Sequence, residues 1–418
     1  MLRFVRLLSV LVCLALLAAN WPQFRGPGGS GVSTETGLPT SWSDEENIVW
    51  KVKLPAYGAS SPITWGEKIF VAGYSGYGTG ERGGEQANLK RHLTCLDRAS
   101  GKVLWDSTVE STPKDNSYGG YVRRHGYASA TPVTDGTAVY AYFGKTGAVA
   151  FDMDGKQLWQ TDCGSGTHGF GSGASPVLYK NLLIVNACVE SGTLIGLDKK
   201  TGEQVWKSTK IKAAWSTPVL VDAGGGRQEL VVSTRGTLIG YDPASGEQLW
   251  TCSGIRDYVC PSPIAHKGVV YAIGGRGRKG LAVKAGGRGD VTETHRLWQL
   301  ERGSNVSSPV LYEGHLYWAH EGQGILYCAD AETGKVIYEQ RLKEKPGRIY
   351  ASPVAVDGKL YYTSRERGVL VVAAKPVFEL LSHNKIESDK SIFNGSPVVS
   401  NGQLLLRSNE YLYCVGTK

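Results

Sequence analysis

Helical periodicity is missing from this chain beyond residues 1–19, which excludes helix bundles and doubly wound α/β folds. Long apolar runs are equally scarce. Only Leu7–Leu17 stands out, and its length suits a signal sequence better than a membrane span. Basic residues gather only in short groups such as Arg276-Gly-Arg278-Lys279 and Lys90-Arg91. Groups that short sit at solvated loop ends, so nucleic-acid binding is not expected. The chain has no G-x-S-x-G nucleophile elbow, no H-E-x-x-H zinc site and no C-x-x-C-H haem attachment. Gly164-Ser-Gly166-Thr-His-Gly169 matches a dinucleotide-binding spacing, but it links two strands with no helix after it and reads as a loop. Single acids in loops, such as Asp115 and Glu190, have no evident partner. No catalytic pair and no metal site can be read from the sequence.

What the chain does have is repetition. A Ser/Thr-Pro-Val/Ile triplet opens an apolar run at Ser61, Thr131, Ser175, Thr217, Ser262, Ser308, Ser352 and Ser396. From Pro132 onward the spacing averages about 44 residues, the period of a repeat architecture. A second block recurs as Asp97…Gly101…Trp105, Asp152…Gly155…Trp159, Asp198…Gly202…Trp206, Asp242…Gly246…Trp250 and Asp330…Gly334…Tyr338. Asp bonds its own backbone, Gly supplies positive φ, and together they mark a strand–turn–strand. The aromatic then fills one packing slot per repeat. Trp298 and Trp50 take the same slot without the Asp-Gly preamble, and Phe378 is expected to hold it in the seventh repeat. Asp135-Gly136, Glu313-Gly314, Asp357-Gly358 and Asn401-Gly402 are hairpin turns, leading into strands such as Ala138–Tyr142 and Leu360–Thr363.

Each repeat is therefore four short strands, A to D, and units of that kind around an axis make an all-β propeller. After Pro397 only strands B (Leu404–Arg407) and C (Tyr411–Val415) remain before the chain stops. The segment Asn47–Leu54 around Trp50 looks like the missing strand D. Docking it there closes the ring and removes an exposed edge. The expectation is an eight-bladed β-propeller over 47–418, preceded by an arm at 20–46.

Residues 1–19 read as a cleaved signal peptide, with a retained N-terminal anchor as the alternative. Arg3 and Arg6 precede the apolar run, and Ala18-Ala19 offers small residues for cleavage. Cleavage leaves a chain with no expected transmembrane span, placed in the periplasm or secreted. Seven of the eight cysteines remain. Cys95, Cys328 and Cys414 fall in the strand-C slot that holds Ala150, Gly196 and Gly240 elsewhere, and read as small packing residues. Cys252 with Cys260, and Cys163 with Cys188, are candidate disulfides in an oxidising compartment.

Loop length points to a working face. Tyr74–Arg91, Ser107–Ala128 and Asp162–Gly173 all fall on the side of the B–C and D–A loops, whereas Lys284–Arg296 is a C–D insertion on the other side. Rigid scaffolds place binding residues on such loops. The positions just before each Pro enter the innermost strand beside the central channel. They hold His125, Tyr127, His168, Phe170, Trp215, Tyr258, Asn305, Tyr350, Phe393 and Asn394. A ring of imidazole, aromatic and amide groups can bind a planar or polyhydroxylated ligand. The plainer reading is that these side chains and water plug the funnel.

The block Gly196-Leu-Asp198-Lys-Lys-Thr-Gly202-Glu-Gln-Val-Trp206 resembles the pyrroloquinoline-quinone (PQQ) repeat, as does Cys328-Ala-Asp330-Ala-Glu-Thr-Gly334-Lys-Val-Ile-Tyr338. The arm Trp21-Pro-Gln-Phe-Arg-Gly-Pro-Gly-Gly is similar to one preceding secreted bacterial propellers of that type. The resemblance implies eight blades. It also implies two kinds of function. Quinoprotein dehydrogenases of the family bind PQQ with calcium in the funnel and stack the quinone between a vicinal disulfide and a Trp. No two cysteines are adjacent here, and Trp215 matches that Trp by position only. The propeller of the outer-membrane β-barrel assembly machinery instead presents loops to a partner, though its lipidation cysteine has no clear counterpart here. The expected function is an exported, non-catalytic scaffold without a cofactor, meeting an envelope protein or small ligand at the long-loop face. The alternatives are a PQQ-dependent dehydrogenase of alcohols or sugars and a carbohydrate-binding propeller.

Overall fold

A computed structural model describes residues 20–79, 84–111 and 115–417. The signal-peptide segment lies outside the described residues. Eight antiparallel sheets follow one another along the chain, seven of four strands and one of five. Their innermost strands start directly after the triplet prolines, as at Ile63–Trp65, Val177–Tyr179 and Val398–Ser400. The eighth sheet is completed by Ile48–Lys53, which pairs antiparallel with Tyr411–Val415, Trp50 opposite Cys414. The ring therefore closes by the segment expected from the sequence. Among the described residues no helix is long and apolar enough to cross a membrane.

The Asp-Gly-Trp block is a device for stacking blades. Within a blade, each slot aromatic lies opposite a small residue of strand C: Trp105 faces Cys95, Trp159 faces Ala150 and Trp206 faces Gly196. Between blades, the ring covers the turn glycine of the next repeat. A Cβ on Gly202 would come within 2.7 Å of Trp159, and one on Gly155 within 2.7 Å of Trp105. In three of the slots the indole N–H also donates to that neighbour's backbone, Trp105 to Met153 O at 3.2 Å, Trp159 to Lys199 O at 3.1 Å and Trp298 to Ala331 O at 3.0 Å. Period, glycine and tryptophan are thus one constraint seen three ways.

Three sequence expectations need correction. Phe378 does not hold the slot of the seventh blade. It precedes strand Leu380–Asn384 and packs edge-on against Tyr338, while Ser382 faces Val371 in the slot, so the large and small partners have exchanged strands. The outer strand of the first blade runs on to Glu110, which shortens the long loop after it. Neither cysteine pair is joined: all seven described cysteines are free thiols. Cys163 and Cys252 point into separate interblade cores, so each thiol is spent on packing.

The C–D insertion also does something its position did not suggest. Gly289–Asp290 adds a parallel fifth strand to the outer edge of the preceding blade, opposite Trp250 and Thr251. Trp250 is fully buried, and its indole donates to Glu229 Oε2 at 2.7 Å.

The arm crosses the axis. Trp21 pairs with Thr64 in the first blade, and Val32 bridges Ala355 in the seventh. Between them Arg25 is buried in the channel, donating to Gly29 O, Ser30 O and, at 2.5 Å, Pro309 O. Burial alone pulls its pKa down to about 9. Phe24 beside it closes one end of the channel.

Candidate functional site

Above Phe24 the channel opens into a funnel of about 250 Å³ on the long-loop face. Its neck is built by the triplets themselves. The backbone N–H of Ser61 donates to Thr131 Oγ1 at 3.0 Å, and that of Thr131 donates to Ser175 Oγ at 2.9 Å. The pattern passes from blade to blade until Ser396 donates to Ser61 Oγ at 2.9 Å. All eight hydroxyl groups line the funnel. Proline has no N–H, so the residue before it carries the last donor entering each inner strand, and the neighbouring hydroxyl satisfies it.

Above the neck, the aromatic side chains gather on one side. Phe170 packs against Trp215 with centroids 5.2 Å apart and against Tyr258 at 5.1 Å, and Trp215 meets Tyr258 edge-on at 6.1 Å. Tyr121 extends the arc at the rim, edge-on to Phe170 at 4.7 Å. The indole N–H of Trp215 is committed to Gly171 O at 2.7 Å. Asn305 adjoins the arc through Tyr258, and Tyr350 and Asn394 complete the lining beyond it. Asn394 accepts from Arg365 Nε at 2.9 Å and donates to Arg124 O at 2.7 Å, which ties the eighth blade to the loop after the first. The Arg365 guanidinium lies 4.8 Å over the Tyr350 ring.

Among the described residues, His125 is the one histidine of the lining. Its Nε2 lies 2.6 Å from Phe170 O, an atom that can only accept, so Nε2 carries the proton. Nδ1 then accepts from the Ser129 hydroxyl. Burial is the main cause of a lowered pKa, so the ring stays neutral and braces the loop that bears Phe170.

Seven of the residues singled out from the sequence thus share one cavity: His125, Phe170, Trp215, Tyr258, Asn305, Tyr350 and Asn394. The others lie elsewhere. Tyr127 is buried beneath the long loops, where it meets Tyr74 edge-on at 5.3 Å and stacks on Tyr77 at 5.8 Å. The Arg91 guanidinium covers Tyr127 at 5.2 Å and pairs with Asp115, so that acid does have a partner. His168 is exposed at the rim, 4.7 Å from Trp215. Phe393 is buried against Tyr413. The sequence reading missed the hydroxyl circuit, Phe24 and Arg124. The first was signalled by the Ser or Thr at the head of each triplet, and the second by the arm motif.

Eight PQQ-type blades closed by an N-terminal strand define a quinoprotein-like propeller. The chain belongs to the family of outer membrane protein assembly factor BamB, whose family model matches residues 89–340 and 290–376. BamB from Moraxella catarrhalis superposes with a TM-score of 0.63 at 15% identity, covering 89% of this chain and 97% of that one. Quinohemoprotein alcohol dehydrogenase from Comamonas testosteroni gives 0.61 at 10% identity, over 96% of this chain and 81% of that one. The computationally designed Ika8 protein gives 0.60 at 12%, over 88% and 99%. At these identities the likeness is one of fold. No curated protein matches the sequence.

Proposed function

We propose that this chain is an exported, non-catalytic binding scaffold of the cell envelope, holding an envelope protein or a small ligand at the face that bears the long loops. The observation that carries the reading is the make-up of the funnel. Among the described residues its lining combines an aromatic arc with amides and hydroxyls and includes no aspartate or glutamate, and both ring nitrogens of His125 are engaged. Such a surface has groups to hold a ligand but no free general base to act on one. Membership of the BamB family supports a scaffold role.

The donor set also speaks against PQQ with calcium. Calcium is held by several hard oxygen ligands, carboxylates prominent among them. The lining supplies only amide and hydroxyl side chains, the Asn394 oxygen is taken by Arg365, and no vicinal cysteines flank Trp215. A photo-crosslinker placed at Tyr121 in living cells tests the proposal. It should capture a defined envelope protein, and a crosslinker on the opposite face, at Arg288, should not. Saturable uptake of PQQ with calcium, accompanied by dye-linked alcohol oxidation, would overturn it.

A further inference from the structure

We propose that the funnel is a saccharide site that takes the end of a polyhydroxylated chain, an inference that rests on reading the long-loop face as a binding face. Three observations converge on this ligand class. The first is an unfilled acceptor in the wall. Asn305 donates through Nδ2 to the Tyr258 hydroxyl at 2.9 Å, but its Oδ1 is enclosed and has no hydrogen-bond partner. Asn305 lines the funnel, so a modest turn of its side chain would bring this oxygen to a donor on a bound ligand.

The second observation is the set of donors that face it. The Tyr258 oxygen accepts from Asn305, and among the described hydrogen bonds it donates none, so its own proton is available. Each neck hydroxyl accepts a neighbour's N–H, and among the described hydrogen bonds none of the eight gives its proton away. A ligand that donates to Asn305 and accepts from Tyr258 and the neck would use all of these groups. Sugar hydroxyls do both. Carboxylates and quinone oxygens accept only.

The third is shape. Phe170, Trp215 and Tyr258 form an apolar wall beside this polar floor, matching a pyranose ring that has a C–H face and hydroxyl edges. The cavity, at about 250 Å³, is smaller than the about 300–1,000 Å³ of typical drug-sized sites, so it suits one terminal ring system. Phe24 closes the bottom, so a polymer can enter only by its end.

The test uses the mature protein and four disaccharides: cellobiose, maltose, chitobiose and digalacturonate. Saturation-transfer NMR and calorimetry should find at least one that binds at millimolar concentrations or tighter. Asn305→Leu and Trp215→Ala should each weaken that binding by about tenfold or more with the melting temperature preserved. Tyr258→Phe keeps the ring, removes one donor and should weaken binding by a smaller factor, which covers the case in which a larger change unfolds the protein. If none of the four binds, or if binding ignores Asn305→Leu and Tyr258→Phe, the saccharide site is wrong. The scaffold reading is scored separately, because Asn305→Leu should still crosslink to its envelope partner through Tyr121.

Discussion

The backbone N–H of Ser396 donates to the hydroxyl oxygen of Ser61 at 2.9 Å, joining the last triplet to the first. Each of the eight blades contributes one such bond, so the circuit is a second closure of the ring, independent of the outer strand. It is the inner counterpart of the pairing between Trp50 and Cys414 at the rim.

Ser61→Ala cuts that circuit at the junction. The Ser396 N–H is buried and would keep no acceptor, a loss of about 1–3 kcal/mol. Ser61→Thr retains the hydroxyl, as the natural threonines at positions 131 and 217 do, and should cost much less. Equilibrium denaturation of the two variants measures the difference. Equal stability would mean that the hydroxyl circuit contributes nothing.

Glycines in positive φ should separate into two classes. Gly202 has φ of 77°, and a Cβ there would lie 2.7 Å from both Trp159 Cδ2 and Thr161 Oγ1. Gly224 has φ of 83° with nothing within 4 Å. Gly224→Ala should cost about 1 kcal/mol for the backbone alone. Gly202→Ala should cost about 2–4 kcal/mol, because the tryptophan wedge between two blades must move as well. Thermal unfolding of the pair reads this directly.

Much of this arrangement was legible because each repeat states the same local rule. Glycine at a fixed offset from tryptophan encodes both a turn and an interblade contact, and a chain that repeats it has few ways to fold. The exceptions arise where partners trade places, as Val371 and Ser382 do, or where one residue type serves two ends. Cys252 and Cys260 are near in sequence, yet Cys252 packs into the core between blades while Cys260 lines the funnel. Tyr127 and Tyr258 precede equivalent prolines, but long loops cover the first and leave the second facing the cavity. Periodicity reports where a side chain leaves the backbone. It does not report what a neighbouring loop lays on top of it.

Removing Ile48–Lys53 should leave Tyr411–Val415 as an unpaired apolar edge. The neck circuit would still tie Ser396 to Ser61, so the deletion tests which closure dominates. The expected outcome is a lower melting temperature together with concentration-dependent association on size exclusion. A monomer that melts like the parent would show that the outer strand is dispensable.

Glu190 gives a prediction with a defined sign. Its carboxyl is buried beside the funnel wall, hydrogen-bonded to the Ser172 hydroxyl, in a small recess shared with Tyr142 and Trp215. Burial raises its pKa above the usual 4.5, and bonds from Ser172 and Tyr142 only partly oppose the shift. The folded protein then holds this proton at pH values where the unfolded chain has released it. Its stability contribution is fully present below about 4.5 and is lost as pH rises through the folded value. Glu190→Gln keeps the shape and cannot ionise. The gap in melting temperature between variant and parent should therefore widen in favour of the variant from pH 4.5 towards neutrality. A gap that stays constant with pH would mean that Glu190 ionises in the fold without cost.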